Sequence, residues 1–191
     1  MIGSYDFCGH YEWTFEWLMR RGGEELVQAF WAHAIGEDSQ SHAVKLIQEK
    51  GFSGMSDYWA HTLAEENAGY HTTLTNDVFR LDMHECPSKG FLLMNGLKQF
   101  PDYCDHCIGW IGPMMKSAGF QVHHEHNHCG QCWWEFRKRD DTTAASEPAT
   151  FAGKKDVRVA PSWPSADEPI DVFRGAFSAT DKEKPDSKRS D

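Results

Sequence analysis

Hydrophobic positions recur with a helical period through the first 70 residues of the chain. Residues 5–20 are rich in aromatic side chains and stop at Gly22-Gly23. Residues 24–34 repeat apolar side chains three and four positions apart, which is the spacing of one face of a helix. A third helix ends before Gly51, and a fourth fits residues 56–67. The pattern therefore predicts four helices in the amino-terminal half.

The period then changes from that of a helix to that of a strand. Phe79, Leu81 and Met83 alternate with polar residues, which is typical of a half-buried strand. The Thr-rich residues 70–75 can pair with this strand through a tight turn. Residues 102–118 are predicted to return to a helix, with Pro113 as a kink or a junction. This region is thus a hairpin followed by a helix.

A second hairpin is predicted to close the domain, and it is rich in cysteine and histidine. Residues 120–128 form its first strand, residues 129–132 its turn and residues 133–137 its return strand. Helices, hairpin, helix and hairpin in this order predict an α+β fold. In that fold the amino-terminal helices pack on a small antiparallel sheet, and the Cys/His-rich hairpin ends it.

The composition changes near residue 141, which divides the chain into two parts. Residues 1–141 contain every cysteine and histidine, with 20 acidic and 11 basic residues. Residues 142–191 contain five of the eight prolines, with 9 acidic and 8 basic residues. We predict a single α+β domain over 1–141 and a low-complexity tail over 142–191, either disordered or loosely docked through its scattered aromatic residues.

The charge and hydropathy of the chain exclude several classes of partner. The net charge of −10 repels phosphate, so neither nucleic acid nor an anionic membrane is an expected partner. The mean hydropathy is −0.62, and no run approaches the roughly 20 apolar residues that a membrane span needs. The first residues lack the pattern of a signal peptide, so we expect a cytoplasmic protein. In a reducing compartment, its six cysteines are ligands, nucleophiles or buried thiols rather than disulfides.

Two Cys-x-x-Cys pairs have the spacing of a zinc site. They are Cys104/Cys107 and Cys129/Cys132, with 21 residues between the pairs. The first pair lies at a predicted helix start, where side chains three apart face one way, and the second flanks a predicted turn. Four thiolates would close the tetrahedron of a structural zinc ion. We therefore expect zinc, or another transition metal, at these thiols; buried thiols without metal are the alternative.

Three histidines next to the second pair extend this candidate metal site. His124, His126 and His128 alternate along one predicted strand, so their imidazoles project from the same face. Imidazole and thiolate together form a mixed donor set that can leave a coordination position open. We expect one of these histidines to join the thiolates; a solvated His-rich strand is the alternative.

A separate cysteine, Cys86, is a candidate nucleophile. It follows a predicted strand and precedes a proline, and it is expected to lie outside the metal cluster. A nearby histidine would lower the pKa of such a thiol and accept its proton. His84 lies two residues earlier, and Asp105 or His106 could complete the arrangement from the start of the next helix. A buried structural cysteine is the alternative.

The order of these motifs resembles a known family. A strand ends in Cys86-Pro87, a helix follows, Cys104-Asp105 comes next, and a strand leads to Gly-x-Cys-x-x-x-Phe-Arg over residues 130–137. This order is similar to that of the L-2-amino-thiazoline-4-carboxylic acid hydrolase-like family of small α+β proteins. The resemblance covers roughly residues 24–140, and it implies hydrolysis of a cyclic amidine-like ring. It places Cys86, Cys104, Asp105 and Cys132 at the cysteine and aspartate positions of the family.

Residues and resemblance together predict a hydrolase or lyase that acts on a C–N bond of a small polar molecule. The substrate would be cyclic and amide- or amidine-like. The alternative is a zinc-stabilised ligand-binding or interaction module without catalysis. Cys107, Cys129 and the histidine run are additions to the family pattern, and they strengthen the expectation of a metal.

Overall fold

The order of helices and strands follows the change of period in the sequence. The structure, a computed structural model, describes residues 4–97, 99–101, 103–127 and 130–144. Its elements are α1 (Ser4–Ala29), a π-helix (Phe30–Ser39), α2 (Ser41–Lys50), α3 (Phe52–Glu65), β1 (Gly69–Leu74), β2 (Val78–Glu85), α4 (Lys89–Met94), α5 (Asp105–Ala118), β3 (Phe120–His126) and β4 (Cys132–Lys138).

The two predicted amino-terminal helices form one kinked helix that continues into the π-helix. The kink is at Gly23, whose φ of 68° and ψ of −167° are open to glycine but strained for other residues. From Phe30 onward the backbone is π-helical rather than α-helical, which the apolar spacing did not predict. The wider turn lets Trp31, Ile35 and Gly36 all face the interior.

The π-helix packs closely against α5, and a glycine makes this possible. A Cβ atom on Gly109 of α5 would lie 2.6 Å from Cε3 of Trp31, closer than any side chain tolerates. The absence of a side chain at Gly109 therefore sets the distance between the two helices. This contact also forms one wall of the cleft described below.

The four strands form one antiparallel sheet in the order β1-β2-β4-β3. Neighbouring strands place Leu81 opposite Trp134 and Met83 opposite Cys132, so apolar side chains line one face. The α+β fold predicted from the sequence is confirmed. The first residue of β4 is Cys132, which the sequence analysis placed in the turn.

Two hydrophobic clusters hold the helices in place. One lies between the sheet and helices α2, α3 and α5, and includes Trp59, Phe79, Met115 and Phe136. The other joins α1, the π-helix and α4, and includes Phe15, Trp31, Leu92, Phe100 and Tyr103. The partly buried Trp110 packs against both clusters, so α5 connects them.

Some predictions fall partly or wholly outside the described residues. These are His128, Cys129 and the tail, of which only residues 142–144 are described. Among the described residues, no helix is both long and apolar enough to cross a membrane.

Candidate functional site

A small cavity lies where the end of β2, the start of α5 and the facing strands β3 and β4 meet. Its volume is about 30 Å³, the space of a single water molecule. Four thiols and three imidazoles dominate its wall, and we call it the thiol cavity. It is lined by Cys86, Lys89, Tyr103, Cys104, His106, Cys107, His124, His126, Gly130, Gln131, Cys132 and Trp134.

Cys86 belongs to this cavity, which corrects the expectation that it lies outside the metal cluster. The Cys86 N–H donates to the carbonyl of Gly130 at 2.9 Å, which ties the end of β2 to the β3–β4 connection. The Lys89 N–H donates to Cys86 Sγ at 3.3 Å. The sequence could not show this, because Cys86 and Gly130 are far apart along the chain.

The other three described thiols reach the cavity from α5 and β4. Cys104 and Cys107 are one helical turn apart, and the Cys107 N–H donates to the Cys104 carbonyl at 3.3 Å. Cys132 accepts a hydrogen bond at Sγ from Trp134 Nε1 at 3.1 Å. No two of the described cysteines are joined by a disulfide.

Burial and crowding keep at least two of these thiols protonated. Burial raises the pKa of Cys107 well above its ordinary value, and the negative charge of Cys86, Cys132 and Cys104 would raise it further. Burial also raises the pKa of Cys132, with Cys86 and Cys104 acting in the same direction. Although Lys89 also lines the cavity, the raised pKa values leave Cys107 and Cys132 neutral at pH 7.

His124 presents a buried nitrogen lone pair. Its Nδ1–H donates to the carbonyl of Trp133 at 2.9 Å, and its ring stacks on Trp134 with 3.6 Å between ring centroids. Nε2 is therefore the unprotonated nitrogen; it is buried, and no described residue forms a hydrogen bond with it. Burial lowers the pKa of His124 to about 4, so the ring is neutral at pH 7.

His106 is arranged in a similar way on the other side of the cavity. Its Nδ1–H donates to the carbonyl of Tyr103, and its Nε2 lies 3.4 Å from Cys107 Sγ. Burial lowers the pKa of His106 to about 4. Both imidazoles thus combine a carbonyl-bound Nδ1–H with an unprotonated Nε2, the arrangement that orients histidine ligands in metal sites.

His126 is paired with a carboxylate. Its Nε2–H donates to Asp105 Oδ1 at 2.7 Å; the imidazole is 13% exposed and the carboxylate 43% exposed. The rings of His126 and His124 are 5.4 Å apart, as their alternation on β3 predicts. Asp105 therefore connects the buried cavity to a more open region.

That region is a second, larger cavity between α1, the π-helix and α5, which we call the open cleft. Its volume is about 490 Å³, and Asp105 lines one part of it. The other lining residues are Met19, Glu24, Val27, Gln28, Trp31, Ala32, Phe100, Ile108, Gly109 and Pro113. The sequence analysis did not predict this cleft, because its walls come from three separate segments.

The predicted catalytic residues are only partly brought together. Cys86 and His106 both line the thiol cavity, and Asp105 contacts it through His126. His84 is partly buried on β2 but is not among the described residues that line the cavity. Lys89, which is buried beside Cys86, could not be predicted, since no spacing rule marks a lysine after Cys-Pro.

The donor set of the thiol cavity fits a soft metal ion in its chemistry. Thiolate and neutral imidazole are the ligands that zinc prefers. The unprotonated Nε2 of His124 is buried, and its lone pair can bind a metal ion. Within the described part of the chain, however, no three His, Cys, Asp or Glu side chains are already arranged around a common metal position.

Comparison with known proteins adds no relative: no family model, curated protein or solved structure matches this chain.

Proposed function

We propose that this protein is a small-molecule hydrolase. Its reaction centre would be the thiol cavity with a bound soft metal ion, for which zinc is the first candidate. Its substrate would be a small polar molecule with a cyclic amide- or amidine-like C–N bond. One observation carries the proposal: the His126–Asp105 pair joins a cavity rich in metal ligands to a cleft of about 490 Å³, which is large enough for such a substrate.

The cavity residues would hold the metal. The ion would take two thiolates from among Cys86, Cys104, Cys107 and Cys132 and the unprotonated Nε2 of His124, and these three ligands would leave its fourth position open. The raised pKa values of Cys107 and Cys132 describe thiols that a cation would convert to thiolates. A bound zinc ion would polarise a carbonyl or amidine carbon and make water more acidic.

The His126–Asp105 pair would move the proton. Asp105 holds the N–H on Nε2 of His126, which makes Nδ1 the basic nitrogen of that ring. Hydrolysis of a C–N bond needs a base that takes a proton from attacking water and an acid that returns one to the leaving nitrogen. His126 can serve in both steps, while its hydrogen bond to Asp105 holds the ring in position, as in carboxylate–histidine pairs of hydrolases.

A second candidate function is a metal-stabilised binding module without catalysis. The volume of the thiol cavity favours it, because about 30 Å³ holds an ion but no cyclic substrate. Four thiolates around one zinc ion would leave no open position, which makes a site structural.

Hydrolysis of a panel of small cyclic amides and amidines, followed by NMR, separates the two functions. The hydrolase predicts turnover by the wild type that His126→Gln abolishes. His61→Gln is the matched control, because His61 is an exposed α3 residue beside Glu65. Metal-loaded protein without turnover on any compound would favour the binding module.

A further inference from the structure

The open cleft has the size and the floor of a ligand site. Small-molecule sites commonly span 300–1,000 Å³, and this cleft measures about 490 Å³. Its floor contains the indole of Trp31 and the ring of Phe100, both almost fully buried, with 6.5 Å between ring centroids and 85° between ring planes. Val27 and Ile108 extend this apolar surface.

Two carboxylates and no described cation line the same cleft. Glu24 is fixed in place by Gln28, whose Nε2 donates to Glu24 Oε1 at 2.7 Å. Asp105 is fixed by His126. No lysine or arginine occurs among the described residues of the lining. A ligand with a positive charge is therefore attracted by the cleft, and a carboxylate is repelled by it.

From this combination we propose that the open cleft binds a compact organic cation, a primary ammonium on an aromatic or branched apolar body. The apolar body lies against Trp31 and Phe100, and the ammonium donates to the carboxylates of Asp105 and Glu24. The assignment of this cation as the substrate rests on the proposed hydrolase function. The preference for a cation also distinguishes this chain from the family that it resembles, because Asp105 and Glu24 would repel a substrate with a carboxylate.

The placement of Asp105 gives the ammonium a defined position. Asp105 is the first residue of α5, directly after Cys104 of the thiol cavity. Its side chain accepts from His126 through Oδ1 and is 43% exposed. A cation that contacts this carboxylate therefore lies beside the proton-transfer pair.

Calorimetric titration of the 191-residue chain with three matched probes tests the proposal. The probes are 2-phenylethylamine, 2-phenylethanol and 3-phenylpropanoate, which share a phenyl body and carry a positive, zero and negative charge. We expect the amine to bind about tenfold more tightly than the alcohol, and the anion not to bind. Equal affinity for amine and alcohol, or preference for the anion, would overturn the proposal.

Variants assign the effect to the cleft. Asp105→Asn is expected to lower the affinity for the amine about tenfold and to leave the affinity for the alcohol unchanged. If Asp105→Asn does not fold, Glu24→Gln is expected to lower the affinity for the amine in the same way. Glu49→Gln, an exposed α2 position, is the matched control. If neither Asp105→Asn nor Glu24→Gln changes amine binding, the assignment fails. If the chain binds the amine as expected but carries no metal or shows no turnover, the result contradicts the proposed hydrolase function and leaves the cation site in place.

Discussion

The two cavities on either side of the start of α5 differ in every property that selects a ligand. The thiol cavity is about 30 Å³ and is lined mainly by four thiols and three imidazoles, with Lys89 beside them. The open cleft is about 490 Å³, accessible and lined by carboxylates above an aromatic floor. Soft donors in a closed space favour a metal ion, whereas carboxylates in an open cleft favour an organic cation.

A single helix supplies both surfaces, because successive residues of α5 point in different directions. Cys104 and Cys107 face the thiol cavity, while Asp105 and Gly109 face the open cleft. The same 100° rotation per residue that makes a helix amphipathic thus separates two chemistries. Substitutions in the two linings therefore test whether one cavity binds a metal ion and the other an organic cation.

The largest expected effect is the loss of one thiol. Cys107→Ser should remove the metal and lower the melting temperature by about 10 °C, because binding energy at such a site is also folding energy. Metal analysis and a thermal melt measure both quantities. Cys8→Ser is the control, because Cys8 is also buried but lies in the hydrophobic cluster that joins α1, the π-helix and α4. A Cys107→Ser protein that keeps its metal would contradict the ligand assignment.

The second effect is a pH dependence of the metal-free protein. The folded state lowers the pKa of His106 and of His124 from 6.5 to about 4, so it favours their neutral forms. The unfolded state takes up protons first, and stability is therefore complete above about pH 6.5 and lost as the pH falls toward 4. Each imidazole contributes on the order of 3 kcal/mol at most.

Denaturant unfolding between pH 7 and pH 4, followed by tryptophan fluorescence, measures this loss. The double variant His106→Gln/His124→Gln should have a flatter dependence than the wild type. Equal slopes for the two proteins would show that these imidazoles do not titrate as buried neutral groups.

The smallest expected effect concerns the wall of the open cleft. Gly109→Ala places a methyl group against Trp31, and we expect it to destabilise the fold by about 1–3 kcal/mol and to weaken amine binding. Gly112→Ala is the control on the same helix, because its nearest neighbour is 3.7 Å away, at Ile108 Cδ1. We expect that variant to be neutral or more stable by up to about 1 kcal/mol, since alanine favours helix. Similar losses in both variants would contradict a close contact specific to Gly109.

The sequence predicted the fold better than the site, for physical reasons. Helical and strand periods report which face of a segment is buried, so the α+β class was predictable. Helix α4 was implied only by the family resemblance, because six residues are too short to show a period. The π-helix was missed because only residues 30–34 of the apolar run at 24–34 lie in it, which is too short a stretch to distinguish its period from that of an α-helix.

Within the site, local spacing predicted what lies on one element and failed across elements. The turn-spaced Cys104 and Cys107, and the alternating His124 and His126, do line one cavity. The His126–Asp105 hydrogen bond and the entry of Cys86 depend on how β2, β3 and α5 pack. No pattern in a single segment contains that information.

The central claim is that the thiol cavity holds one soft metal ion with Cys86 among its ligands. X-ray absorption at the metal edge of protein purified without added metal counts the sulfur neighbours directly, because zinc–sulfur bonds are about 2.3 Å long. We predict two sulfur neighbours in the wild type, one in Cys86→Ser and no change from two in Cys8→Ser, since Cys8 lies in the other hydrophobic cluster. A protein without bound metal, or one that keeps both sulfur neighbours in Cys86→Ser, would contradict the account.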